Sequence, residues 1–186
     1  ECMNYGDICA DRNVGGVAGA MAIEYDLDPE DDLLSTEHST ARFTYQTRSI
    51  LLDCNNYGTV QAKKSCAGGV VGRMDLGTVS GCGGYGGVFS ENGDYVGGVC
   101  GLSLSSIRSS YAKCTLDGRK YIGGIVGYAD VSCSITNCAN YGDVKGYRIV
   151  GGIAGAADGT TIENVFSSGD VTCILENPLE ANTGLV

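Results

Sequence analysis

The chain is poor in proline, histidine and positive charge, and it has no tryptophan. Two prolines stand against 30 glycines, which argues against collagen and against a flexible linker. Glycine interleaved with Val, Ile and Tyr points instead to many short strands and turns. The one histidine, His38, is the only base a Cys–His nucleophile pair would have, and no local signature supports such a pair. No Cys-x-x-Cys occurs among the ten cysteines, and the nearest pairs, Cys2/Cys9 and Cys133/Cys138, lack zinc spacing. Twelve Lys and Arg against 22 Asp and Glu give a net charge of −10, which repels phosphate backbones and argues against nucleic-acid binding. No apolar run approaches the ~18 residues of a membrane span, so no membrane insertion is expected. There is no Walker pattern and no G-x-S-x-G. No catalytic, cofactor or metal residues are expected, and the chain is read as a non-enzyme.

The 186 residues amount to about one domain, long enough to bury a core, and 43% are hydrophobic. The chain opens on Glu-Cys without an initiator Met or a signal-peptide pattern and stops on Gly-Leu-Val. It is expected to be a piece of a larger protein, with any targeting signal outside it.

What is present is a repeat. "CMNYGDI" at Cys2 recurs as "CNNYGTV" at Cys54, "CGGYGGV" at Cys82 and "CANYGDV" at Cys138, with "SYAKCTL" from Ser110 and "VFSSGDV" from Val165 in the same slot. The head positions are 2, 54, 82, 110, 138 and 165, so the period is 28 or 27 residues after one long first step. Three residues before the head stand Leu51, Val79, Ile107, Ile135 and Ile162. Six after it stand Ile8, Val60, Val88, Leu116, Val144 and Val171. A double glycine closes each copy, at Gly15, Gly68, Gly97, Gly123 and Gly151 and the residue after each. The pattern predicts an all-β fold: a right-handed parallel β-helix of about six coils, residues 1–186 forming one solenoid domain. Each coil would have three short strands and glycine corners, with aliphatic ladders inside. At about 4.8 Å per coil the rod would be roughly 29 Å long.

"YIGGIVGYA" (Tyr121–Ala129) and "YVGGVCGL" (Tyr95–Leu102) resemble the GLUG motif, a Gly-Gly-aliphatic-aliphatic-Gly repeat of bacterial surface proteins that also occurs beside immunoglobulin-A metallopeptidases. "TGLV" (Thr183–Val186) reads as a further motif cut short. The resemblance implies a β-solenoid in an exported or cell-surface setting, and no catalytic residues. The expected role is a structural and interaction module, a stalk or adhesin-like platform for host glycan or protein. The alternative is a polysaccharide-active β-helix enzyme, for which Asp143 and Asp170, one column apart by a coil, are the candidate carboxylates. The simpler reading of both is a solvated turn residue.

Residues 22–48 make the first step long. They read as an insertion carrying a short helix over Asp26–Phe43, N-capped by Asp28 with Pro29 at N1, or else as a degenerate extra coil. The insertion either caps the rod or contributes to binding. Its acid run, Asp26–Asp32, lacks EF-hand spacing for calcium. "GCGGYG" (Gly81–Gly86) fits G-x-G-x-x-G, but its glycines already have a cause in the repeat. Tyr5, Tyr57, Tyr85 and Tyr141 form a column broken by Lys113 and Ser168; facing out it would be a ligand-contact surface, facing in it would be core. The cysteines of the head column would form either a reduced interior ladder or disulfides between coils. Open strand edges at the two ends predict end-to-end self-association.

Overall fold

The computed structural model describes residues 1–22, 49–174 and 183–184. Every regular element among them is a strand, and every strand pairing is parallel. The strands stack into four sheets, and the chain visits them in a fixed order. The first sheet holds the Ile-column strands Ile50–Leu52, Thr78–Ser80, Ser106–Arg108, Ser134–Thr136 and Thr161–Glu163. The second holds the head strands, from Cys2–Asn4 to Phe166–Ser167, six in all. The third carries the Val column and runs into the double glycine. The fourth holds Ala18–Met21, Val71–Met74, Cys100–Ser103, Val126–Ala129 and Ala154–Ala157.

The sheet registers are the sequence columns. Val79 pairs with Leu51 and Ile107, and Ile135 with Ile107 and Ile162. Val88 pairs with Val60 and Leu116, and Val144 with Leu116 and Val171. A one-residue slip would turn each strand's apolar residues to solvent, so this register is strongly specified. Val79, Ile107, Ile135, Val60, Val88, Leu116 and Val144 are fully buried, and so are Val70, Val99, Ile125 and Ile153 after the double glycines. Truncating one of the Ile or Leu sites to alanine costs about 2–5 kcal/mol.

Two expectations are corrected, and a third falls outside the described residues. The six full coils reduce to four complete turns, 50–74, 78–103, 106–129 and 134–157, with an incomplete turn on either side. Among the described residues the Ile column has no member before Leu51, and no strand of the fourth sheet lies beyond Ala157. Each turn has four strand positions, not three: the head pair is a strand of its own, and the double glycine bends the Val-Gly-Gly-Ile segment into two. The helix expected within 22–48 lies outside the described residues, which contain no helix.

The glycines serve close approach more than left-handed backbone. A Cβ on Gly124 would run into the Gly152 carbonyl oxygen and the Asn140 side chain. Positive φ falls mainly on other residues. One column, just before the head, holds Asp53, Gly81, Ser109, Asn137 and Asn164 at φ 50–66°. A second, just before the Val-Gly step, holds Asn13, Cys66, Tyr95, Tyr121 and Ile149 at φ 51–68°. Asn, Asp and Gly suit that conformation, whereas a β-branched Ile149 there is strained.

Candidate functional site

The tyrosine column faces out. It sits on an Asn-Tyr-Gly corner whose asparagine turns inward. Asn56 and Asn140 are fully buried. Asn140 Nδ2 donates to the Gly142 carbonyl at 2.9 Å and its Oδ1 accepts the Gly142 amide at 3.1 Å; Asn56 clamps Gly58 in the same way. The next residue therefore points to solvent. Tyr5 stacks on Tyr57 (centroids 4.9 Å, planes 7° apart) and Tyr57 on Tyr85 (4.6 Å, 2°). Tyr141 does not join them, because Lys113 occupies the intervening coil; it meets Phe166 at 6.0 Å instead.

Tyr111, which the sequence reading left out, closes the stack edge-on against Tyr85 at 5.6 Å. The Tyr85 hydroxyl donates to that of Tyr111 at 2.9 Å, and Tyr111 reaches Asn55 Oδ1 at 3.4 Å. Room for this comes from Gly83, where a Cβ would lie 2.7 Å from the Tyr111 ring. The Tyr111 hydrogen bond, helped by desolvation, pushes the Tyr85 hydroxyl above its ordinary range. Tyr57 is covered on both faces by Tyr5 and Tyr85, and Tyr111 meets Tyr85 edge-on, whereas Tyr5, at the end of the stack, is 70% exposed. Along its length this corner offers a partner ring edges and hydroxyls, flanked by exposed Met3 and Phe166.

A second aromatic group escaped the column reading because its rings come from two strand positions. Tyr95 stacks on Tyr121 at 5.2 Å, and Tyr128 meets both edge-on. Lys120 Nζ lies 4.3 Å from the Tyr121 ring centre. Its signal in the sequence is the tyrosine before the double-glycine step in "YVGG" and "YIGG". Beside it opens a groove of about 530 Å³ lined by Glu91, Asn92, Asp94, Arg119, Lys120, Tyr147 and Arg148.

The other candidates resolve into structure. Asp143 and Asp170 do stand on adjacent coils, but Asp143 Oδ1 accepts the Asp170 backbone amide at 3.0 Å, and Asp7 does the same for Thr59 at 2.7 Å. The column staples coils together. Gly81–Gly86 contains the head strand Gly83–Gly84 and leads into the strand Val88–Gly97 with no helix following, so it lacks the turn that holds a dinucleotide. All ten cysteines are free thiols, seven of them buried, and Cys54's amide donates to Cys82 Sγ at 3.4 Å. Burial pushes the Cys66 and Cys138 thiols up to about 11 and that of Cys114 to about 12. Among the described residues no cluster of three His, Cys, Asp or Glu could hold a metal ion, and no helix is long and apolar enough to cross a membrane. His38 and the acid run Asp26–Asp32 lie outside the described residues.

Parallel sheets stacked in register, with buried aliphatic ladders and exposed corners, define a β-solenoid repeat protein. Residues 118–145 and 146–172 match the GLUG motif, so the chain carries two adjacent GLUG repeats. No curated protein and no solved structure matches it.

Proposed function

We propose that the chain is a structural and interaction module of an exported bacterial surface protein, a stalk or adhesin-like platform that meets host protein or glycan. The supporting observation is the exposed tyrosine corner: Tyr5, Tyr57 and Tyr85 in one rigid stack, with Tyr141 and Phe166 further along. Stacked tyrosines offer a large amphipathic surface already ordered before binding. Because the faces inside the stack are mutually covered, edge-on contact with a protein fits the length of this corner better than sugar stacking does. The coil is right-handed in this reading, following the hand of parallel crossovers. The outer strands of the stack pair end to end with other copies, seen as scattering mass that rises with concentration; a fixed monomer mass would remove that element.

The chain acts without catalysis in this reading. The test is binding of the purified chain to immobilised host proteins, mucins, immunoglobulins and glycans. A saturable partner is expected, with affinity lost about tenfold in Tyr57→Ala. A blank panel would leave only a spacer. Release of reducing ends from a polysaccharide, abolished by Asp143→Asn, would replace the reading with an enzyme.

A further inference from the structure

With no tryptophan and eleven tyrosines, the aromatic side chains of this chain that oxidise readily are all phenols. A phenol that gives up its hydroxyl hydrogen becomes a phenoxyl radical, with unpaired spin on the oxygen and on the two ring carbons beside it. Two such radicals join through those carbons when their rings are held together. Otherwise each waits for an encounter with another molecule. The outcome is set by which tyrosines face one another and which of those are open to solvent.

Tyr57 and Tyr85 are such a pair. Their ring centres lie 4.6 Å apart with planes 2° from parallel, the closest stack among the described residues. The backbone sets the spacing: the Tyr57 amide donates to the Asn4 carbonyl and the Tyr85 amide to the Asn56 carbonyl, each at 2.8 Å. Asn56 clamps Gly58 just beyond the first ring, and a Cβ on Gly86 would run into the Gly58 carbonyl oxygen, so the two corners touch. Tyr57 is enclosed between Tyr5 and Tyr85. On its other side Tyr85 meets Tyr111, and it cannot swing away from Tyr57 without losing the 2.9 Å bond between their hydroxyls. Solvent still reaches the pair, for Tyr57 is 41% exposed. Exposure alone does not make one. Tyr141 is more exposed, at 53%, but Lys113 stands between it and Tyr85, and its ring meets Phe166, which has no hydroxyl.

We propose that Tyr57 and Tyr85 form an oxidative cross-linking site, which a peroxide-driven one-electron oxidant converts into a dityrosine staple between successive turns. Each phenol gives one electron and one proton to the oxidant. One carbon–carbon bond forms between ring carbons beside the two hydroxyls, and the hydrogens those carbons carried move to the phenolic oxygens. One hydrogen peroxide takes up the two electrons and two protons and leaves as two waters. The product ties the turn 50–74 to the turn 78–103 and closes a loop from Tyr57 to Tyr85 in the unfolded chain, which narrows the unfolded ensemble. The staple uses the corner proposed above as a binding surface but needs no partner there, so it stands whether or not that reading does.

The test treats the whole chain, with the exposed thiols of Cys2 and Cys9 alkylated, with peroxidase and hydrogen peroxide. At about 10 μM protein, encounters between molecules are rare beside a partner held at an effective concentration of about millimolar or more. The expected product is a monomer with the blue fluorescence of dityrosine, in which tryptic peptides 49–63 and 74–108 are joined and lighter by two hydrogens than their sum. Tyr85→Phe keeps the ring but has no hydroxyl to oxidise, and should cut the joined peptide at least about tenfold. Tyr95→Phe, in the same peptide, should leave it unchanged. The joined chain should unfold at a higher urea concentration than the untreated one. Dityrosine confined to cross-linked dimers would overturn the proposal. So would a joined peptide that is lost in Tyr95→Phe and kept in Tyr85→Phe, a joined monomer whose urea midpoint does not rise, or no dityrosine under conditions that couple free tyrosine.

Discussion

The buried thiols show how a single residue type couples the solenoid to pH. Cys66, Cys114 and Cys138 are packed where a thiolate would lose its water, so each holds its proton to about pH 11–12 instead of the ordinary 9.0. Cys82, Cys100 and Cys133 are displaced the same way, also by burial. The sign follows from linkage. The folded state binds these protons more tightly than the unfolded chain, so their contribution is fully present below about pH 9. It is lost as pH rises through the folded values. Each thiol contributes about 1.4 kcal/mol per pH unit over which it titrates only in the unfolded chain. Urea midpoints should therefore be level from neutral pH to about 9 and fall steeply toward 11. Cys114→Ala should make the fall shallower. Midpoints that stay level to about pH 11 would show that the thiols are not buried as described.

At the scale of the element, the strands were legible and the bends between them were not. A period of 28 residues puts like on like, and aliphatic columns can pair in only one register without exposing the core, so the Ile and Val ladders could be read directly from Leu51 to Ile162 and Ile8 to Val171. The Asn-Tyr-Gly corner could be read as well, since its asparagine and glycine suit a tight turn. The break at the double glycine could not, because column matching sees which residues recur and not where the backbone bends. Nor could the Glu91–Gly93 bulge, which appears in the sequence only as uneven steps between double glycines, a longer one from Gly68 to Gly97 and a shorter one from Gly97 to Gly123. The charged groove beside it draws its lining from three successive coils and several columns, so no single column contained it. Tyr121 and Ile149 at positive φ run against local preference; only the stacking of the neighbouring coils holds them there.

For the whole molecule, stability in a stack of this kind is a sum of coil energies and contacts between neighbouring coils. A complete turn can then be removed if the cut respects the register. Ser106 pairs with Thr78 on one side and Ser134 on the other, so deleting 106–133 joins Ser105 to Ser134 and sets the strand Ser134–Thr136 beside Thr78–Ser80. The aliphatic columns stay in line, with Ile135 facing Val79 and Val144 facing Val88. The deleted turn is the one whose head is Ser110 and whose corner carries Lys113 in place of tyrosine. Its removal brings Tyr141 next to Tyr85 and should extend the stack from three tyrosines of the column to four. The shortened chain should unfold cooperatively, with a denaturant slope reduced in proportion to the surface it no longer buries and a stronger near-ultraviolet tyrosine signal per residue. Deleting only 106–119 removes half a turn and sets strands of one sheet against another, and should abolish cooperative unfolding. If the two deletions behave alike, the columns do not act as independent ladders, and the solenoid is held by something other than contacts between successive coils.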